Sequence, residues 1–260
     1  MKTNNNKLIL ELALYAGEIM LKNGGETYRA EDVMKRICEV SGISKVESFV
    51  TPTGMFLSID DGEESGLTYT YQKSIDNRGI NLRKVSEVND FARNYSPDRM
   101  SLASAFAKLE SIDCAKYYSK PIKTIAAGAA TSAFTLASGG KVNDVVCGFV
   151  IGCVMFFFVD IYSIIEKNSF IRTLFASVIG AVLAIICYTA GFCSDIQYIL
   201  IGAIFMLLPG IAITNAIRDS LNGDLLSGIV RAFEALIIAT SIAVGVGIII
   251  DLYEMAGGVM

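Results

Sequence analysis

Histidine and tryptophan are absent from this chain of 260 residues, and proline occurs only four times. Without histidine there is no Ser-His or Cys-His nucleophile, no imidazole base and no imidazole metal ligand. The six cysteines include no C-x-x-C pair; Cys147 and Cys153 are six apart, as are Cys187 and Cys193, spacings that do not suit zinc. Four of the six lie in apolar runs, where cysteine behaves as a small hydrophobe. No metal or cofactor is expected. Charge is also scarce, but only in one part. Residues 1–123 carry 17 Lys+Arg and 17 Asp+Glu, whereas residues 124–260 carry 5 and 9. No stretch is strongly basic, which speaks against nucleic-acid binding. The second part has too little charge to coat a water-facing surface.

The apolar stretch Leu8–Leu21 is interrupted by Glu11 and Glu18, so it is not a secretory leader. Leu8, Leu12, Ala16, Ile19 and Met20 fall on one helical face, with Glu11, Glu18 and Lys22 on another, which predicts an amphipathic helix stopped by Gly24-Gly25. A second helix is expected over 26–40, with Ala30, Val33, Met34 and Ile37 as its apolar stripe and Gly42 past its end. Runs at 46–50, 55–59 and 67–71 read as a three-stranded meander, turned at Thr51-Pro52-Thr53-Gly54 and Asp60-Asp61-Gly62. Further helices are expected at 81–94 and from Ser96-Pro97-Asp98 onward, where serine, proline and acid spell a helix start. Residues 1–120 thus read as an N-terminal α+β domain on the cytoplasmic side.

Residues 121–260 read as a transmembrane domain. Charge-free runs cover 124–140, 173–194, 196–217 and 235–250, and 145–165 contains only Asp160. A spanning helix needs roughly 20 apolar residues. Five transmembrane helices are expected near 122–140, 144–165, 171–193, 196–217 and 229–252, making the fold an α-helical polytopic membrane protein. With residues 1–120 inside, the inner ends carry Lys120, Lys123, Lys167, Arg172, Arg218 and Arg231, and the outer loops only Lys141. The C-terminus then lies outside. Gly128, Ala129, Ser132 and Ala133, the pair Gly148 and Gly152, and Gly180 with Ala184 suit close helix packing in a bundle or oligomer.

Charges inside a membrane segment cost roughly 2.5–3.5 kcal/mol at its centre and ask for a reason. Asp160 is either an acid solvated near the interface or part of an ion or proton path, for which Glu234 is a second candidate. Pro209 and Gly210 interrupt the fourth span. The break is either an ordinary kink or backbone opened toward a water-filled path. Beyond it lies a dense polar cluster: Asn215, Arg218, Asp219, Asn222, Asp224, Arg231 and Glu234. It reads either as a solvated loop or as a gate at the cytoplasmic mouth, with arginine as counter-ion to a carboxylate. In the N-terminal domain, Glu26, Thr27, Arg29 and Asp32 at the second helix, with Thr51, Pro52, Thr53 and Gly54, form a candidate ligand-binding motif. The plain alternative is a turn and a solvated helix face.

Three stretches, GGETYRAEDVMKRIC (24–38), VTPTGMFLSI (50–59) and LPGIAITNAIRDSLNGDLLSGIVRAFEA (208–235), resemble the threonine/serine exporter family. The likeness extends over roughly residues 8–250 and is nearest to the larger subunit of the split form, the YjjP-like proteins. It implies a cytoplasmic-membrane exporter of threonine and serine or of succinate. The full-length form carries roughly ten spans, so the resemblance also implies a small membrane partner subunit, YjjB-like, in a homo- or hetero-oligomer. The competing reading is a membrane-anchored ligand sensor or scaffold. A membrane-embedded enzyme is disfavoured, because Asp160 and Asp219 lack an aspartyl-protease context.

Overall fold

The computed structural model describes residues 2–43, 45–60, 68–165 and 168–258. The chain divides into two compact units, one of Met1–Ala115 with Ile211–Phe233, the other of Lys116–Gly210 with Glu234–Met260. The N-terminal region is α+β. Helices α1 (Lys2–Lys22) and α2 (Thr27–Val40) precede strands β1 (Val46–Thr51), β2 (Gly54–Asp60) and β3 (Thr68–Ser74), which are followed by α3 (Leu82–Asn94) and α4 (Leu102–Cys114). The sheet is an antiparallel meander in sequence order, with Val50 opposite Met55 and Thr51 opposite Gly54. Val50, Met55, Leu57 and Ile59 face the core. Phe49 and Phe56, a cross-strand pair with ring centroids 6.4 Å apart, are exposed. The expected turn residues Asp61 and Gly62, the strand start at Leu67 and the basic Lys167 lie outside the described residues.

Two expectations are corrected. The first helix is not one-sided. It packs against α2, α3, α4, β2 and β3, so Leu10, Leu12, Ala13, Ile19 and Met20 are all fully buried while Leu8 is exposed. Glu18, assigned to the polar face, is buried as well, and Lys22 and Lys73 pair with its carboxylate. The fourth helix does not start at Ser96-Pro97-Asp98. That segment closes a single turn, with the Arg99 and Met100 N–H groups donating to the Ser96 carbonyl. Ser101 is extended and caps α4 afresh, its hydroxyl accepting from the Ser104 N–H at 3.3 Å. A second capping serine five residues on restarts the helix.

The second unit contains α5 (Lys120–Ala137), α6 (Val142–Ile165), α7 (Ser169–Thr189) and α8 (Ile196–Leu207). α9 (Gly210–Leu221) falls in the first unit apart from Gly210, and the division passes through α10 (Leu225–Met255) after Phe233. Among the described residues, three helical stretches are long and apolar enough to cross a membrane: Val142–Ile161, Ser169–Thr189 and Leu225–Met255. A fourth is added if α8 and α9, bent by 50° at their break, count as one span. The protein is therefore a polytopic helical membrane protein. α5, with 18 residues rich in Ala and Thr, is not among these stretches. It is nonetheless tightly packed. Thr131 and Thr135 are fully buried on it, and glycines of α6 and α8 lie against them. A Cβ at Gly152 would stand 2.9 Å from the Ala127 carbonyl oxygen, and one at Gly202 would stand 2.8 Å from that of Thr131. Cys147, Ile151, Met155, Ile199, Ala203 and Ile242 are part of the remaining core of this unit.

Backbone oxygens cannot yield as flexible side chains do. Gly202→Ala should therefore lower the melting temperature in detergent, at a cost of about 1–3 kcal/mol from overpacking. Helix propensity alone favours alanine by about 1 kcal/mol. A raised melting temperature would show that propensity, not packing, governs this position.

Candidate functional site

An α-helix begins with N–H groups that have no partner inside the helix. At α2 the residue in the capping position is Glu26, whose side chain makes no capping bond. The acceptor comes instead from far along the chain: Asp219 Oδ1 receives the Thr27 N–H at 3.2 Å. A carboxylate here also meets the positive end of the helix dipole. Thr27 Oγ1 donates to Asp224 Oδ2 at 2.6 Å. Asp219 is fully buried, so its charge needs compensation. Arg231 supplies it, with Nε 2.9 Å from Asp219 Oδ2. The N–H is turned off the hydrogen-bond line, so this contact is an ion pair and neither atom completes a hydrogen bond.

The glycine pair after α1 belongs to the same network. Gly24 has φ +87°, a conformation that costs glycine little, and it opens the chain so that two carbonyls are presented. The Gly24 oxygen accepts from Asn215 Nδ2 at 2.9 Å, and the Gly25 oxygen from Arg231 Nη2 at 2.8 Å. On the rim, Glu26 bridges two arginines, with Arg218 Nη1 at 2.6 Å and Arg29 Nη1 at 3.0 Å. Burial alone would raise the Glu26 carboxyl's pKa. Its own backbone N–H and the two guanidinium groups outweigh that and hold it below the usual range. Glu31, one helical turn past Thr27, is pushed up by burial, and nearby Asp224 adds to the rise.

The α9–α10 turn presents these groups in register. Gly223, at φ +90°, ends α9. Asp224 then caps α10, its Oδ1 accepting from the Ser227 N–H at 3.2 Å. Gly228 lets the two helices approach, since a Cβ there would lie 3.0 Å from the Ala216 carbonyl oxygen. Ser227 reaches the Val50 carbonyl at 3.5 Å, beside the β1–β2 turn. In that turn Thr51 Oγ1 accepts from the Gly54 N–H at 3.1 Å, Pro52 is buried and Thr53 is exposed.

Two groups of candidates thus join: Glu26, Thr27 and Arg29 with Asn215, Arg218, Asp219, Asp224 and Arg231. The others stand apart. Asp160 on α6 pairs with Lys120 Nζ at 2.7 Å. Pro209 and Gly210 form the break between α8 and α9. Glu234 is half-buried on α10, immediately past the boundary between the two units. Asp32 lies exposed on a cleft between α2 and α3. The sequence reading missed Ser227, Glu31 and the Gly24 and Gly25 carbonyls, because only tertiary proximity marks them. It also missed Asp144, fully buried in the second unit, where Oδ1 accepts from the Ser194 N–H at 2.6 Å and Oδ2 from the Lys141 N–H at 2.8 Å. An acid in the first turn of a helix was the available signal there.

A family model described as "Putative threonine/serine exporter" (ThrE) matches residues 11–253. The chain belongs to the ThrE family. That family is one of transporters rather than enzymes, and the protein is a membrane transporter of ThrE type. The chain is 20% identical to the "Probable succinate transporter subunit YjjP" of Escherichia coli, over the full length of both. It is 22% identical to the protein of the same name in Klebsiella aerogenes, over 96% of this chain and 95% of that one. To the "Threonine/serine exporter" of Corynebacterium glutamicum it is 20% identical, over 95% of this chain but 52% of that protein. No solved structure matches.

Removing one member of a buried pair leaves an uncompensated charge, at a cost of about 3–5 kcal/mol. Arg231→Met and Asp219→Asn should each destabilise the protein to this order in chemical denaturation. The double variant should recover part of the loss; additive losses would show that the two side chains do not interact. A pH dependence follows for Glu26. Its folded pKa is lowered, so its contribution is complete above the unfolded carboxylate pKa of about 4.3 and fades as pH falls through the folded value. The stability gap between wild type and Glu26→Gln should be flat above that pH and close below it. A gap that persists unchanged in strong acid would contradict the ion-pair assignment.

Proposed function

We propose that this chain is one subunit of a cytoplasmic-membrane exporter of small amino or carboxylic acids, threonine and serine or succinate. The observation that carries this reading is the ThrE match over residues 11–253. The printed names of the relatives supply the two substrate classes. The word "subunit" in one name, and the greater length of the Corynebacterium glutamicum protein, support a second component. That component is a small membrane partner, YjjB-like.

Five spans suit the chain, with α5 as the first. Its buried threonines and the glycines lying against them support this reading despite its modest hydropathy. The N-terminal α+β domain then lies in the cytoplasm with Lys120, Lys123, Arg172, Arg218 and Arg231, and the C-terminus lies outside. The transport path runs at the Pro209-Gly210 break, where proline interrupts the helical hydrogen-bond ladder, as in the discontinuous helices that form transporter substrate sites. Asp219 and Arg231 do not coordinate substrate in this reading, since each already serves the α2 N-terminus. They act as a latch on the segment that follows the break. Opening the gate requires moving that segment, and the latch sets the free energy of doing so.

Cells producing both subunits and preloaded with radiolabelled threonine, serine and succinate test the assignment. Efflux of at least one substrate above that of cells lacking the pair is expected. Arg231→Ala should change its rate at equal membrane abundance. No efflux of any of the three would overturn the reading, and an unchanged rate in Arg231→Ala would remove the latch from it.

A further inference from the structure

The latch does not use the opposite flank of α2. There a cleft of about 320 Å³ opens between α2 and α3, within the range of small-ligand sites. Asp32, Lys35, Arg36 and Glu39 stand on one face of α2 at i, i+3, i+4 and i+7, and Asn89 and Arg93 line the cleft from α3 one turn apart. Ala92, fully buried, contributes only a methyl group to the floor. Among the described residues Asp32, Arg36, Glu39 and Arg93 form no ion pair, although both signs of charge line one cleft. Lys35 approaches only Glu31, at 3.9 Å.

We propose that this cleft binds a small zwitterionic amino acid. Arg36 and Arg93 receive its carboxylate, because guanidinium groups match that shape with paired donors. Asp32 and Glu39 receive its ammonium group, and Asn89 offers both a donor and an acceptor. The sign pattern selects the ligand class. A dicarboxylate would place its second charge near Asp32 or Glu39, and a diamine would meet Lys35, Arg36 and Arg93. A ligand carrying both charges leaves neither set opposed. The site lies on the N-terminal domain's own helices, so it acts as a sensor of amino-acid concentration, separate from the transport path.

The test is calorimetric titration of the full-length protein in lipid nanodiscs with L-serine, and with succinate as the di-anion. Saturable L-serine binding is expected, weakened about tenfold or more in Arg36→Gln/Arg93→Gln and again in Glu39→Gln, as loss of a charged partner implies. The side chains of Arg36, Arg93 and Glu39 are exposed, so the variants should fold, and an unchanged melting temperature checks this. Unaltered L-serine affinity in both variants overturns the proposal. So does succinate binding that these substitutions abolish. Neither result bears on efflux, so this inference can fail while the exporter reading stands.

Discussion

A helix must satisfy the N–H groups of its first turn, and in this protein that requirement organises the N-terminal unit. α2 has no capping side chain of its own, and a carboxylate from nearly two hundred residues away takes the place. Once Asp219 is buried there, Arg231 must follow it, because a lone buried carboxylate would be too costly. Arg231 then has donors to spare, and the Gly25 carbonyl accepts one. The Gly24-Gly25 turn, the α9–α10 turn and the end of β1 join the same network through Asn215, Asp224 and Ser227. The consequence for function is that segment 211–233, which follows the broken helix, belongs with the N-terminal α+β helices.

The membrane unit rests on a different constraint. Lipid is as apolar as the side chains it touches, so helix association there depends on close packing. Thr131 and Thr135 return their hydroxyls to their own helix, at the Ala127 and Thr131 carbonyls, which keeps them satisfied without water. Glycines of α6 and α8 then fit over them. The first apolar run therefore joins the bundle through fit rather than through hydrophobicity. The acid within the apolar length of α6 is also partnered, since Asp160 pairs with Lys120 at the start of α5.

Much of this was legible in advance. The strands at 46–51, 54–60 and 68–74 follow alternation and turn residues, and α2 and α3 fall within a residue or two of their expected limits. The break at Pro209 is a covalent consequence of proline and appears as a 50° bend. Where expectation failed, a competing partner explains it. Ser96-Pro97-Asp98 looked like a helix start, but Ser101 offered a second cap. Glu18 looked solvent-facing, but Lys22 and Lys73 made its burial tolerable. The site was legible only as two separate clusters, because neither contains a residue that names its partner.

Residue order by itself determined the elements, the division into a charged and an apolar part, and the list of polar groups too costly to ignore. These follow from local sterics and from water's rejection of apolar surface, which act over a few residues at a time. The tertiary structure decided what those polar groups are for. Asp219, read as part of either a solvated loop or a gate, is the cap of a helix that begins at Thr27. Asp32, read together with Glu26, Thr27 and Arg29, lies apart from them on a cleft between α2 and α3. Such assignments depend on which distant groups arrive within hydrogen-bonding distance of each other, and no local rule of sequence specifies that.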